Sequence, residues 1–544
     1  MKIKYFARHI GSKAGILAVT CAAALLAGSC ALADSKDLET AAISGITLGP
    51  QVPSELADPS NPQLAAAFAW QEFIALTWPA AINPAPQPGM SAYLRGQPST
   101  QAGSGGTGAG GTTVWETFYH RVELYPGYSA EKQQLPDPNQ APNYLYRAPL
   151  TKATPETDLT LFNNLDEASE IGLAQMYHTP FAEQAQALVD QYPNPTPAQA
   201  ALIAAATTKA ALLYEAKGNP TIFNYVKMNS FNNLTQRSAA LAQSVALINN
   251  QKVTAPAFQL PAGSIEIKAT WRRYDSSLDN LDFYHWTNGI YYTNDPQGNL
   301  VANNDKLLLV GLHIIHKTPN VPTFTFATFE HVSNEVNGFR FTNTGAGQST
   351  PPGFPRALPD AGIITAVRQF PIPGPESGFD LNAFNLAVQA QVRSAYGQNN
   401  VWANYRLIGV QALVQDNPGG PVPAQQFFLS NFATETNDTL QFFQGALNGS
   451  VPDPSKPSVS TFNPANGLYK AHNAGGCVGC HGAAGQAKGG DFSVIATKGN
   501  RFAPEAITPY PGGPVVWQNA AGFPLKAPGA GRTRPANPIA KRRS

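Results

Sequence analysis

Apolar positions along the chain change period several times, and each change marks an element. Residues 62–77 place Leu64, Phe68, Trp70, Phe73 and Ile74 at helical spacing, and Trp78 extends the stripe. Asn61 is set to cap this helix, Pro62 suits its first turn and Pro79 stops it. Helical spacing returns at 159–190, at 197–250 with Ala-rich turns at 200–206 and 239–246, and at 381–396. Residues 264–274, 282–292, 306–317 and 323–332 are instead β-branched and aromatic runs separated by Asn, Asp, Gly and Pro. They predict antiparallel strands, joined by a further strand at 405–415. Residues 318–322 predict a hairpin turn, and a symmetric loop pairs residue 316 with residue 323. The expected fold is an α+β body with a mostly antiparallel sheet and helices packed to one side. A small segment of helix and coil comes after it, with helical signal at 464–472.

These patterns divide the chain. Lys2, Lys4, Arg8 and Lys13 precede an apolar run at 15–29, and Ala31, Leu32 and Ala33 form an A-x-A cleavage site. Residues 1–33 therefore read as a secretory signal peptide, which stands outside the fold. Cys30 offers the alternative of lipidation. No other apolar run is long enough to cross a bilayer, so the mature chain is expected to have no transmembrane span. The body is expected at 34–454, with a Gly-rich flexible loop at 95–113. The small segment occupies 455–525, and 526–544 is a basic, Pro/Gly/Ala-rich tail expected to be disordered.

Charge narrows the partners. The formal net charge of +1 becomes −3 once the four basic residues of 1–33 are removed. The tail holds six more basic residues, which leaves −9 on residues 34–525. That balance argues against nucleic-acid binding. No G-x-S-x-G, H-E-x-x-H, EF-hand or phosphate-loop pattern appears. Trp271, Trp286, Tyr284, Tyr291 and Tyr292 cluster in the strand region, where core packing is the expected role.

The informative chemistry lies near the end. Cys477, Val478, Gly479, Cys480 and His481 spell C-x-x-C-H, the pattern that attaches haem covalently. Two thiols one helical turn apart form thioethers with the two vinyl groups of one porphyrin. The adjoining imidazole, His481, then ligates the iron from the proximal side. A disulfide between Cys477 and Cys480, or a zinc site using His481 and His472, are the competing readings. Zinc normally takes four ligands, and no second C-x-x-C or H-x-x-x-H accompanies the first. The other two of the four cysteines, Cys21 and Cys30, lie in the signal segment.

The sixth iron position is open to several residues. No Met or His comes after His481. The distal candidates are therefore His472, Met228, Met176, His331 and His313, with His316, His285, His178, His120, Lys488 and Lys498 behind them. Met would raise the potential, and an open position would permit small-ligand binding. His313, His316 and His331 cannot act as one cluster on a single hairpin. Positions 313 and 316 differ by an odd number and so leave opposite faces of a strand.

Several phrases carry a resemblance. Residues 70–79 (WQEFIALTWP), 311–319 (GLHIIHKTP), 326–331 (FATFEH) and 491–493 (DFS) resemble large exported bacterial cytochrome c family proteins with a single C-terminal haem c site. The resemblance spans most of the mature chain and implies haem at Cys477, Cys480 and His481. A general cytochrome c domain resembles only the last part, and its usual downstream Met is missing. The expectation is an exported, periplasmic single-haem c protein that passes electrons to or from a redox partner protein or a small-molecule donor or acceptor. The alternatives are a haem-dependent oxidoreductase with its substrate in the body, and a haem-based ligand sensor. The alternative locations are the outer membrane, through Cys30, and secretion.

Overall fold

A computed structural model of the protein describes residues 46–86, 90–100, 110–126, 135–142, 144, 162–168, 187–188, 191–249, 251–276, 279–295, 297–332, 378–412, 431, 434, 459–463, 468–472, 476–498 and 504–507. The signal segment, Cys30, Met176, His178, most of 159–190 and the basic tail lie outside them. The described residues all fall within one compact unit.

The elements run in order as α1 (Pro62–Leu76), β1 (Ala80–Ile82), β2 (Tyr93–Pro98), β3 (Tyr119–His120), α2 (Arg121–Leu124), β4 (Glu167–Ala168) and α3 (Pro197–Ala210). Then come β5 (Leu213–Gly218), α4 (Pro220–Met228), α5 (Leu234–Ile248), β6 (Ile265–Arg273), β7 (Trp286–Asn294), β8 (Leu300–His316) and β9 (Thr325–His331). The last are α6 (Leu381–Tyr396), β10 (Tyr405–Gln411), β11 (Val459–Asn463), β12 (Leu468–His472), α7 (Gly476–Ala484) and α8 (Val494–Lys498). The fold is α+β with a mostly antiparallel sheet. Its eight-stranded sheet runs β10-β9-β8-β6-β5-β3, with β4 beside β5 and β7 beside β8. Among the described residues, no helix is long and apolar enough to cross a membrane.

Helix α1 begins where the sequence places it. The Asn61 side chain accepts from the amides of Gln63 (3.0 Å) and Leu64 (3.1 Å). Phe68, Trp70, Phe73 and Ile74 are buried, whereas Leu64 is exposed. Phe73 stacks on Phe329 of β9 at 4.2 Å. Trp70 Nε1 donates to Asn385 Oδ1 of α6 (3.0 Å), and Asn385 Nδ2 donates to the Leu407 carbonyl of β10 (2.8 Å). Two helices and a strand are thereby tied by one buried amide.

The sheet is covered on both faces, not on one. Helices α1 and α6 cover the face that carries Phe329, His316 and Leu407. On the other face Ala216, Ile315 and Phe326 pack with Phe223 and Val226 of α4 and Ala240 of α5. All residues of β5 and β9 are buried, so neither strand shows the alternation of a half-exposed strand. The polar members of β9 (Thr325, Thr328, Glu330 and His331) make it look one-sided in sequence, yet all are buried.

Three local readings are corrected. Residues 213–218 (LYEAKG) lie inside a stretch read as helical, but they form β5. Glu, Ala and Lys favour helices, yet Glu215 and Lys217, two apart, form an ion pair at 3.1 Å on one face of the strand. The β8–β9 hairpin pairs His316 with Thr325 rather than with residue 323. Two successive turns lengthen the loop, from Val321 N to Thr318 O (3.2 Å) and from Phe324 N to Val321 O (3.0 Å), with Phe324 at φ +70°. The shift is two residues, so every side chain keeps its expected face. Leu468–His472, read as helical, is strand β12, paired with β11. A run this short does not fix a period. The Gly-rich stretch is entered from both ends by ordered body. Arg95 on β2 is buried against Glu123, and Thr113 is buried, while 101–109 lie outside the described residues.

Candidate functional site

Cys477, Cys480 and His481 all lie on α7, at i, i+3 and i+4, a spacing that puts them on one helical face. Cys477 is half-buried and packs at the edge of the apolar cluster beneath α4 and α5, into which Val478 is fully buried. The first amides of any helix lack partners within it. In α7 the amide of Val478 donates to Gln411 Oε1 of β10 at 2.9 Å. The helix is therefore docked on the sheet by its own N-terminus.

His481 is oriented by the backbone just downstream of α7. Its Nδ1 lies 2.8 Å from the Phe492 carbonyl oxygen. A carbonyl only accepts, so Nδ1 carries a proton. The imidazole also leans on the Phe326 ring of β9, with centroids 4.8 Å apart. The carbonyl is aimed by unusual backbone. Asp491 (φ +52°) and Phe492 (φ +62°) are consecutive non-glycine residues in the left-handed region, each costing about 1–2 kcal/mol. The connection from α7 is equally tight. A Cβ on Gly485 would lie 2.8 Å from both the His481 carbonyl oxygen and the Phe492 carbonyl carbon. Gly489 (φ +84°) passes so close to α5 that a Cβ would fall 2.1 Å from the Leu241 carbonyl oxygen.

Contacts with the body hold this turn in place. Asp491 Oδ2 accepts from Lys317 Nζ (2.6 Å), at the end of β8, and from the Leu260 amide (2.9 Å). Burial pushes the Asp491 carboxyl up, and Lys317 opposes it. Beside it, Glu266 of β6 is buried, and its carboxyl is pushed up to about 8. Burial is the main cause; Asp491 adds to it and Ser493 works against it.

The same sheet face carries one of the distal candidates. On β8 His313 and Ile315 point to the α7 side; Ile315 pairs with Phe326, and His313 with Thr328 and Lys268. Burial lowers the His313 imidazole to about 3, with Lys268 and then His481 adding to the effect. Its two nearest namesakes are engaged on the opposite face. His316 Nδ1 meets Glu72 of α1. His331 donates from Nε2 to the Phe283 carbonyl (3.0 Å) and stacks on Tyr284 at 4.0 Å. Burial lowers His331 to about 3. His285 pairs with Glu116 at 3.0 Å and His120 with Asp166 at 3.3 Å. Met228 ends α4 at 84 % exposure, and Lys488 is exposed. His472 lies on β12, which rests against α7.

A second polar centre, on the face away from α7, has no motif in the sequence to announce it. Lys217 Nζ donates to the carbonyls of Glu116 (2.7 Å) and Phe162 (2.8 Å) beside its ion pair with Glu215. Glu215 accepts from Trp271 Nε1 (3.0 Å), and Asn163 Nδ2 donates to Glu116 (3.2 Å). Burial works to raise Glu116, yet His285, the Thr113 amide and Lys217 together hold it below its ordinary value. The members bond one another inside the core, which makes the network a structural clamp between β5 and residues 113–117. The one clue in the sequence is the i, i+2 opposite charge of Glu215 and Lys217.

No family model matches the chain, no curated protein matches it, and no solved structure matches it. The residues themselves fit a covalent haem. Two cysteines sit one turn apart, and an imidazole of fixed tautomer stands next to them on the same helix. Among the described residues, no three His, Cys, Asp or Glu side chains gather as a metal cage. Haem asks for none, because the porphyrin supplies four of the iron's ligands itself.

Proposed function

We propose that the protein is an exported, periplasmic c-type cytochrome with one covalent haem, and that it passes electrons. Cys477 and Cys480 would carry the porphyrin through thioethers, and His481 would ligate the iron. The bound haem would supply a one-electron couple. The chain's own residues would fix that couple's environment. Gln411 docks α7 on the sheet, and the Phe492 carbonyl holds the His481 ring and its tautomer. The apolar cluster around Val478, Phe492 and Phe326 keeps water from one side of the helix.

The observation that carries this reading is the His481–Phe492 hydrogen bond. Metal-binding histidines characteristically donate their second ring nitrogen to a carbonyl or carboxylate, and this one does so directly beside a C-x-x-C pair. The test is mass. The mature protein, expressed with a haem-attachment system and extracted in acid-acetone, should retain one haem per chain. C477S/C480S should retain none. A wild-type mass equal to bare polypeptide would refute the proposal. Carbon monoxide then separates a carrier from an enzyme or sensor, because a six-coordinate carrier leaves the reduced spectrum unaltered.

A further inference from the structure

We infer that His313 is the second protein ligand of the iron held by His481. This rests on the haem reading above and names the residue at the sixth position. Placement in the sheet carries it. His313 sits in the middle of the sheet, paired on one side with Lys268 of β6 and on the other with Thr328 of β9. Strand alternation sends its side chain to the face on which α7 is docked, together with Ile315. Ile315 pairs with Phe326, and the Phe326 ring touches the His481 ring. His313 is thus the diagonal neighbour of the residue on which His481 leans, a separation of about 7–8 Å between backbones that long side chains readily bridge.

Five other described candidates point elsewhere. His316 and His331 lie on the opposite face, engaged with Glu72 and with Phe283 and Tyr284. His285 and His120 are paired with Glu116 and Asp166. Met228 projects into solvent. His313 is also the best supported mechanically. It belongs to a strand hydrogen-bonded along both edges, while α7 is fixed to the same sheet through Gln411 and through the Asp491–Lys317 pair. Ligands held on regular elements keep their geometry better than ligands on loops. The rival is His472, on the strand next to α7.

The experiment uses the full mature haem-loaded protein with the variants H313A, H313M and H472A. Each is first weighed after denaturation. Covalent haem in the wild type keeps the underlying reading, and its absence sinks both claims. Electron paramagnetic resonance of the ferric wild type should show two-imidazole coordination; sulfur, amine or open coordination overturns the inference. H313A should become five-coordinate and high-spin when reduced. Reduced H313A should then take up carbon monoxide, which leaves the reduced wild-type spectrum unaltered. H313M should return to six-coordination with a raised potential. H472A should match wild type in spectrum and potential. If H472A opens the iron, or if H313A and H313M keep the wild-type spectrum, His313 is not the ligand although the haem stands. If neither His313 variant folds, the wild-type resonance and H472A decide, an altered H472A spectrum overturning the inference and an unaltered one supporting it.

Discussion

The imidazole of His481 and the carbonyl of Phe492, eleven residues apart, are joined by a 2.8 Å hydrogen bond that only the Nδ1–H tautomer can make. Two left-handed residues in succession aim that carbonyl. The backbone is thus held in a costly conformation at the point where it orients a ring nitrogen. Strain kept at such a point is characteristic of a functional constraint.

Gly485 is the lever on this bond. A methyl group there would meet the His481 and Phe492 backbones at 2.8 Å, so one of them must move. Gly485→Ala is expected to break the Nδ1–H contact and, on the proposed haem ligation, to weaken His481 as a ligand and raise the reduction potential. Loss of a supporting contact of this kind typically costs 10–100-fold in metal affinity or activity. Potentiometry on the haem-loaded variant checks it, and an unaltered potential in a folded protein would count against the role given to Phe492.

The Asp491–Lys317 pair should carry stability as well as position. Both side chains are nearly buried, at 8 % and 6 % exposure. Asp491→Asn keeps a residue type that tolerates the left-handed region but strands the ammonium of Lys317. The expected loss is about 3 kcal/mol, as for one partner removed from a buried pair. Urea unfolding of D491N, K317M and the double variant measures it. The double variant should lose clearly less than the sum of the two.

How much of the fold and site was legible in the sequence depends on how local each feature is. Helix α1 was readable because its cap, its proline and its stop all lie within twenty residues. The strands β6, β8 and β9 were readable from β-branched runs. Strand β5 was not, because its residues favour a helix and only pairing with β6 and burial along the whole strand make a strand of them. The hairpin slipped by two residues because loop length, not composition, sets register. The C-x-x-C-H pattern itself was plain, yet the contacts around it (Gln411, Phe492 and the Asp491–Lys317 pair) come from sequence separations of 67, 11 and 174 residues. No local pattern encodes such pairings.

Glu266 makes stability depend on pH in a definite sense. Its folded value of about 8 lies above the ordinary 4.5, so the native state holds a proton that the unfolded chain releases. Below about pH 4.5 both states are protonated and the group contributes nothing. Between about 4.5 and 8 stability falls with rising pH by up to about 1.4 kcal/mol per unit, and it levels off above that. Glu266→Gln should flatten this slope. We expect agreement with wild type within about 1 kcal/mol at pH 5, and an advantage to the variant of up to about 5 kcal/mol at pH 8.5. Asp491, also raised by burial, adds a slope of the same sign that the variant retains. Parallel stability curves for E266Q and wild type would show that Glu266 is not the titrating group.

Lys217 tests the opposite face of the sheet and separates stability from haem chemistry. Its ammonium is fully buried, paired with Glu215 at 3.1 Å and bonded to two carbonyls. Lys217→Met leaves those carbonyls unmet and a carboxylate without its counter-charge, an expected loss of about 3–5 kcal/mol. Burial already raises the Glu215 carboxyl, and Lys217 opposes that rise. Without the lysine, burial should raise the Glu215 carboxyl further, so K217M should weaken further as pH increases. Glu215→Gln in the same chain removes the stranded charge while its amide oxygen still accepts from Trp271 Nε1. The double variant should therefore be more stable than K217M alone, with a coupling of about 1.5–3 kcal/mol in a double-mutant cycle. Its haem spectrum should match wild type, because this network and α7 occupy opposite faces of the sheet. Additivity within about 0.5 kcal/mol would mean that the two charges stabilise the fold independently of each other.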